Sequence, residues 1–577
     1  MRRSSLILCL SLCVLLMSLE ACGDGNQGPE PVTFDPSECV DFTALDPPPQ
    51  SPRCTQVGVS ASPTSWASCV GGVSRDDGHT VAVGLDGSVY LGFGIGGPDA
   101  RQQLGLQTCY QFTPEEASTI DFLGTPIPVS PGTDPGIAKF TREGVLQWVQ
   151  TAPGDGLAGE VRSVVVDPVD GAVFVAGDFS GTAAFDPAAP LISAHQDLFV
   201  AEYGPDGNLI WARTAMIVPD PDPISEHAGN THADAHGIDI DPVTENIVVV
   251  GEYTGLLTFG QFTIQALGST DAFVAELSKD GTVLWLDDAG GQGDASGAQD
   301  VTIEPDGSVM VVGSLGGSHN EHITGIDGQE VLMPSYAGEF GTDMVLVHYF
   351  ADGRVDWATH AGYPAELMYG TGAGHDAAGN VYVTGVFTGC ALFRRQPVLV
   401  NTPPPPPLEG QPPCADSPVD MALLAPGGPA DTEQFVAKYT ESGLLQWVRR
   451  AGGSGADFGA AVEVFDPGGF FYVGGHIEGT AIFGDPLNQM PTGLPGQYAH
   501  SIARYDLNGG LQWVRSVGSE GKSQLYDIAV DPTDGGVVGA GAFNGVLSFP
   551  SGITLQSASS VIDLDDIVIW RFGQDGL

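Results

Sequence analysis

The 577-residue sequence predicts an all-β fold in which repeated four-stranded sheets close into a ring. Three observations carry that prediction. One phrase recurs: an apolar strand ending in an aromatic, a short Gly-containing turn, then a strand carrying Trp. Examples are Phe199-Val-Ala-Glu-Tyr203…Asp206-Gly207…Trp211 and Phe273-Val-Ala-Glu-Leu277…Asp280-Gly281…Trp285. The phrase is split once, because Asp575-Gly576 precedes a due Trp that appears instead near the start, as Trp66-Ala67. A repeat shared between the two ends is how a ring of repeats closes. Composition agrees, since Gly 81 and Pro 43 supply many turns. The expected fold is a seven-bladed β-propeller closed by N- and C-terminal strands in one blade.

Each blade is expected to hold four strands. In the clearest copy they are Ser163-Val-Val-Val-Asp167, Ala172-Val-Phe-Val-Ala-Gly177, Leu198 to Tyr203 and Leu209-Ile-Trp211. These runs are short, rich in Val, Ile and aromatics, and bounded by Gly, Pro and Asp. Pro168, Pro242, Pro305, Pro467 and Pro532 follow a first strand and end its pairing. Asp-Gly pairs make the tight turns that need positive φ. The repeat Trp residues at 148, 211, 285, 357, 447 and 513, with Trp66, are expected to pack between neighbouring blades. Turns between strands one and two, and three and four, are tight and share one face of the ring. The other links vary and share the opposite face, with long insertions at 216–236, 315–342, 394–432 and 485–498.

Residues 1–21 read as an export signal: Met1-Arg2-Arg3 is basic, and Leu6 to Met17 is apolar but too short to span a bilayer. Leu19-Glu20-Ala21-Cys22 resembles the lipobox of bacterial lipoproteins, with Glu20 where small or polar residues are commoner. That resemblance implies lipid attachment at Cys22 and a membrane partner through the anchor. Residues 22–60 read as a Pro-rich flexible tether, and 61–577 as the propeller. Export permits disulfides. Cys390 and Cys414 flank the Pro-rich insertion and are expected to pair, while Cys39, Cys54, Cys69 and Cys109 leave three pairings open.

The formal charge of −51 repels phosphate backbones and speaks against nucleic acid as a partner. It attracts cations. His227, His232 and His236, with Glu226 and Asp234 in the same insertion, form a candidate site for Zn²⁺ or another divalent ion. His319 and His322 are read in the next link between a fourth and a first strand. Asp134, Asp197, Asp271, Asp343 and Asp566 begin the third strand in five copies, with Glu433 and Ala499 in the others. Oxygen ligands in series suit Ca²⁺; acceptors for backbone N–H groups before each strand are the simpler reading. His348, Lys438 and Arg504 share one repeat position and are read as solvent-facing.

The run Ala298-Gln-Asp-Val-Thr-Ile-Glu-Pro-Asp-Gly-Ser-Val-Met-Val-Val-Gly313, with Asp197-Leu-Phe-Val-Ala, resembles the seven-bladed β-propeller repeat (SBBP-type) of bacterial exported proteins. The resemblance runs from about residue 62 to 577 and implies fold and location, not chemistry. Asp206 to Trp211 and Asp280 to Trp285 are also similar to blades of pyrroloquinoline-quinone dehydrogenases, which have eight blades and an adjacent-Cys disulfide that this sequence lacks. No catalytic site residue is singled out, since Gly-x-Ser-x-Gly, a Walker loop, His-Glu-x-x-His and CxxC are all missing. The expectation is a binding or scaffold protein for a protein or glycan ligand at the cell envelope. The alternative is an extracellular enzyme acting on polysaccharide, with or without a metal.

Overall fold

A computed structural model describes residues 54–57, 65–71, 76–96, 119–130, 132–155, 159–218, 231–290, 296–316, 320–334, 341–402, 414–416, 420–425, 431–453, 455–483, 489–491, 498–557 and 565–576. Seven antiparallel four-stranded units follow one another in the expected order. Blade one is Asp76–Val83, Val89–Gly96, Thr133–Phe140 and Leu146–Thr151. Blade two runs from Gly159–Val166 to Leu209–Thr214, and blade three from Ala233–Ile240 to Val283–Gly290. Blade four spans Gly297–Ile303 to Val355–Gly362, blade five Met368–His375 to Leu445–Gly453, and blade six Phe458–Phe465 to Leu511–Ser519.

Blade seven is the split one. Its first three strands are Ser523–Val530, Val537–Phe543 and Asp566–Phe572, and its fourth is Trp66–Val70. Trp66 lies opposite Arg571 and Val70 opposite Ile567, so the closure read from the sequence is the one that forms. Every residue of Asp566–Phe572 is buried, because the strand pairs on both edges and neighbouring blades cover both faces. The same holds for the second strands Val309–Gly316 and Val381–Thr388, which are buried throughout. Outer fourth strands such as Leu146–Thr151 alternate with solvent.

The repeated Gly and Trp form one clasp between successive blades. Trp66, Trp148, Trp211, Trp285, Trp357, Trp447 and Trp513 lie respectively against Gly144, Gly207, Gly281, Gly353, Gly443, Gly509 and Gly576, the turn glycine of the following blade. A Cβ at Gly281 would stand 3.1 Å from the Trp211 ring, and its φ of 79° is one that L side chains avoid. Trp66, Trp148, Trp211, Trp357 and Trp513 also donate their indole N–H to the carbonyls of Arg142, Pro205, Lys279, Glu441 and Gln574, over 2.8–3.2 Å. Trp285 turns inward to Glu276 Oε2 at 2.5 Å. The polar end of each of these indoles is thus satisfied while its ring fills the seam.

The links between second and third strands differ from their reading as loops. Those of blades four to seven contain hairpins that pair with the outer strand of the preceding blade. Ala289 meets Ile323, Ala361 meets Phe393, Ala451 meets Phe483, and Gly518 meets Ser548. Each hairpin supplies partners to an edge that would otherwise show bare N–H and C=O groups. The His322 segment, strand Asn320–Thr324, therefore belongs to a second-to-third link, not a fourth-to-first one. Strand Thr55–Val57 adds outside Thr554–Gln556, so this part of the expected tether joins the sheet of blade six.

Two disulfides occur among the described residues. Cys390 and Cys414 are bonded, with Cα atoms 6.0 Å apart, as expected. Cys54 pairs with Cys69 at a Cα separation of 5.9 Å, which selects among the open pairings. Cys39, Cys109, Cys22 and the run Pro403–Pro407 lie outside the described residues.

His348, Lys438 and Arg504 are not solvent-facing. Each stands opposite a repeat Trp, at Trp357, Trp447 and Trp513. His348 is 5% exposed, stacks on Trp357 at 5.5 Å, and lies 3.3 Å from both Glu304 and Asp356. Lys438 donates to the Tyr382 hydroxyl at 2.7 Å and to the Leu507 carbonyl at 3.1 Å. Arg504 covers Phe470 and donates to the Gln574 carbonyl at 2.7 Å. Alternation identifies a face, but in a blade that face meets the next blade, so the polar residue finds carbonyls there instead of bulk water.

Candidate functional site

The innermost first strands share a device that the sequence reading missed. Each carries one bulge, at His79, Arg162, His236, Gln299, Thr371, Ala460 and Tyr526 in blades one to seven. A bulge breaks alternation and re-aims a side chain. Six of these seven residues remain partly exposed although their strands are the innermost ones; Ala460 is buried. Two of them touch across blades: the His79 and Tyr526 rings lie 5.3 Å apart.

Carboxylates beside the bulges clip blade to blade. Asp239 accepts the Ile303 N–H at 2.7 Å, Asp300 the Ala373 N–H at 2.9 Å, and Asp527 the Val81 N–H at 2.9 Å. Ser163 does the same for Ile238 at 3.1 Å. Burial pushes Asp239 and Asp527 up to about 6 and Asp300 to about 7, with the N–H groups opposing. Glu463 is raised further by burial and by Asp527 and Asp300. The signal in the sequence was an Asp preceding an Ile or Val in three of the seven copies, at Asp239-Ile240, Asp300-Val301 and Asp527-Ile528.

On the face with the variable links, the third-strand acids are buried acceptors. Asp271 takes the Leu267 and Gly268 N–H groups at 2.6 and 3.2 Å, and Asp134 takes the Ser130 N–H at 2.6 Å and its hydroxyl. Asp197 accepts from Ile217 at 3.1 Å. Burial raises Asp134 to about 6 and Asp271 to about 7. This geometry favours the simpler reading of the series, as acceptors for backbone N–H groups.

Of the three candidate histidines, His227 lies outside the described residues. The structure brings His232 together with Asp234 and with Glu252, which the sequence reading did not include. His232 Nε2 is 3.5 Å from Glu252 Oε1. His236 does not join that triad: its Nδ1 is 3.0 Å from the Ala298 carbonyl. Gln196 bridges Asp234 and Asp178 at 2.9 and 3.0 Å, and Arg162 pairs with Asp178 at 2.5 Å and Glu160 at 3.3 Å. His79 Nε2 reaches Glu160 at 3.1 Å. An imidazole and carboxylate network therefore crosses blades one to three at the link-side ends of their first strands. Burial and Asp178 push Asp234 up; Glu252 is held down because the His232 hydrogen bond and nearby His236 outweigh its burial.

Two concavities among the described residues bear on the site. One is an apolar void of about 20 Å³ between blades three and four, lined by Val274, Val311 and Tyr349 among others. The other is an open groove of about 460 Å³ beside Phe262, Trp285, Asp287 and Ile326. Neither is lined by the His232 network.

No family model matches the chain. No curated protein matches it either. Among solved structures, a Lactobacillus plantarum protein is 12% identical over 82% of each chain, with a TM-score of 0.27. BamB from Moraxella catarrhalis is 10% identical, covering 90% of this chain and 100% of its own, at 0.29. Synechocystis apocarotenoid oxygenase is 11% identical over 89% and 94%, at 0.31. Likenesses of this strength leave function to be argued from the chain itself.

Proposed function

We propose that the chain is an exported, lipid-anchored propeller that binds or scaffolds a protein or glycan at the bacterial cell envelope. The observation that carries this reading is the contrast between the faces. One is locked by seven Gly–Trp clasps, and the other gathers every variable link. Rigid scaffolds present function on such loops. The disulfides Cys54–Cys69 and Cys390–Cys414 suit an oxidising compartment. The apolar run Leu6 to Met17 followed by Leu-Glu-Ala-Cys22 supports signal peptide, anchor and tether in that order. SBBP-type repeats remain part of this proposal, on the sequence resemblance alone.

Two experiments test it. Cys22→Ser should release the protein from the membrane fraction or block its processing; normal retention would remove the anchor from the reading. Photo-crosslinkers at Ala188 and Glu520 on the link face should capture a ligand in envelope preparations, while Asp206 and Asn508 on the turn face should not. Equal capture from both faces would count against binding by the link face. The metal-assisted enzyme stays as the second reading because His232, Asp234 and Glu252 converge on that face. Chelator-sensitive cleavage of a polysaccharide by the purified chain would favour it.

A further inference from the structure

Three groups of His, Asp and Glu among the described residues bring ligand atoms within 4.8 Å of one another. Asp167, Asp170 and Glu245 already surround the Lys279 ammonium, at 2.6 Å from Asp167 and 2.7 Å from Asp170, so that cage holds its cation. In Asp77, His79 and Glu160, the last carboxylate is engaged by Arg162. The third group differs in its surroundings.

We propose that His232, Asp234 and Glu252 bind a first-row divalent transition ion of the Zn²⁺ type on the link face. The donor set is one imidazole and two carboxylates, which suits Zn²⁺; Ca²⁺ takes six to eight oxygens and has no use for the imidazole. The three side chains are half-buried and their outer contacts orient them. Gln196 holds Asp234 at 2.9 Å. The His232 backbone is fixed by Thr254, whose hydroxyl accepts its N–H at 3.0 Å and whose own N–H reaches the His232 carbonyl at 3.0 Å. Outer contacts of this kind are what position metal ligands.

Charge argues in the same direction. Glu160, Asp178, Asp234 and Glu252 are four carboxylates in one network, and Arg162 is the guanidinium that pairs with two of them. Partly buried negative charge in excess is costly, and a divalent ion offsets it. His236 stands beside this charge. Because a carbonyl only accepts, the 3.0 Å contact to Ala298 places the proton of neutral His236 on Nδ1 and leaves Nε2 as a lone-pair donor.

The test is calorimetric titration of the full chain, without a histidine tag, using Zn²⁺ alone and Zn²⁺ against excess Ca²⁺. One site is expected that Ca²⁺ does not displace. His232→Ala and Glu252→Gln should each weaken it by at least about tenfold, the loss seen even for outer contacts of metal ligands. Glu245→Gln, in the Lys279 cage, should leave the affinity unchanged. Unchanged affinity in both site variants, displacement by Ca²⁺, or loss in His79→Ala instead would overturn the proposal. If a site variant fails to fold by circular dichroism, Zn-edge X-ray absorption of the wild-type complex decides: imidazole scattering supports the site, and an all-oxygen shell overturns it.

Discussion

Buried acids on the two faces of this ring are held in different ways. On the turn face, Asp531 sits in a tight turn, accepts the Thr533 N–H at 2.9 Å and pairs with Arg571 at 2.8 Å. Burial alone would raise it, but these hydrogen bonds and Arg142 outweigh burial and hold it below its usual range. Asp376, with Asn380 and Lys438, and Asp170, with Lys279, are lowered against burial in the same way. At two link-face acids burial wins: Asp457 is raised to about 7, and Glu433 to about 8 although Arg450 opposes it. The turn face repeats the same Gly–Trp contact at every seam. The link face joins blades through hairpins of differing length and buries acids against backbone N–H groups.

The largest effect that would break the contrast is deletion of residues 566–577. It removes Asp566 from one face, Gly576 from the other, and a strand paired on both edges. The ring should open, with a steep fall in melting temperature and aggregation on size-exclusion chromatography. An unchanged melting curve would mean that closure is not structural.

Next is Trp357→Ala on the turn face. Trp357 is 2% exposed, stacks on His348 and seats Gly443. Truncation of a buried Trp should cost about 3–5 kcal/mol, read from denaturant unfolding. A cost below about 1 kcal/mol would place the clasp outside the stability of the ring.

Cys414→Ser probes the link face. It frees a segment of sequence separation 24 and should cost about 2–4 kcal/mol if the segment unfolds with the ring. If only the Cys390–Arg394 hairpin frays, hydrogen exchange will rise there while global stability holds. Either result sharpens how far link hairpins share in the fold.

The smallest effect per group is that of pH. Link-face carboxyls with raised folded values contribute stability that is complete below their unfolded value, near 4, and is lost as pH rises through about 6–8. Turn-face carboxyls with lowered values contribute above about 4 and lose it as pH falls through their folded values. The melting temperature should therefore be higher at pH 5 than at pH 8 and drop again in strong acid. Asp271→Asn should flatten the alkaline limb, and Asp531→Asn the acid limb. A melting temperature that rises steadily to pH 8 would reverse the assignment of the faces.

What the sequence made legible was the part enforced by local geometry. Gly at positive φ and Trp at fixed spacing mark turn and seam in every copy, and the divided copy foretold the pairing of Trp66 with Arg571. The hairpins on preceding blades were not legible, because pairing such as Ala361 with Phe393 depends on which edge lies nearby, not on either strand's composition. His348 was misjudged for a related reason, since alternation does not say what covers a face. The bulges hid the inter-blade carboxylates, because one extra residue shifts the period just where Asp300 and Asp527 begin to matter. The His232 group was half legible: the insertion showed the histidines, while Glu252 comes from the neighbouring strand.

The Cys54–Cys69 bond also sets how the ring bears mechanical load. Residues 55–68 form a bypassed segment between the bonded cysteines, containing strand Thr55–Val57 and Trp66. Tension arriving along the backbone at Cys54 can pass through sulfur directly to Cys69, inside the closing blade. The short strand on blade six and the Trp66 clasp are then spared from peeling. Under reducing conditions the same pull would unzip Thr55–Val57 first and reach Trp66 next, so the force needed to open the ring should depend on redox state.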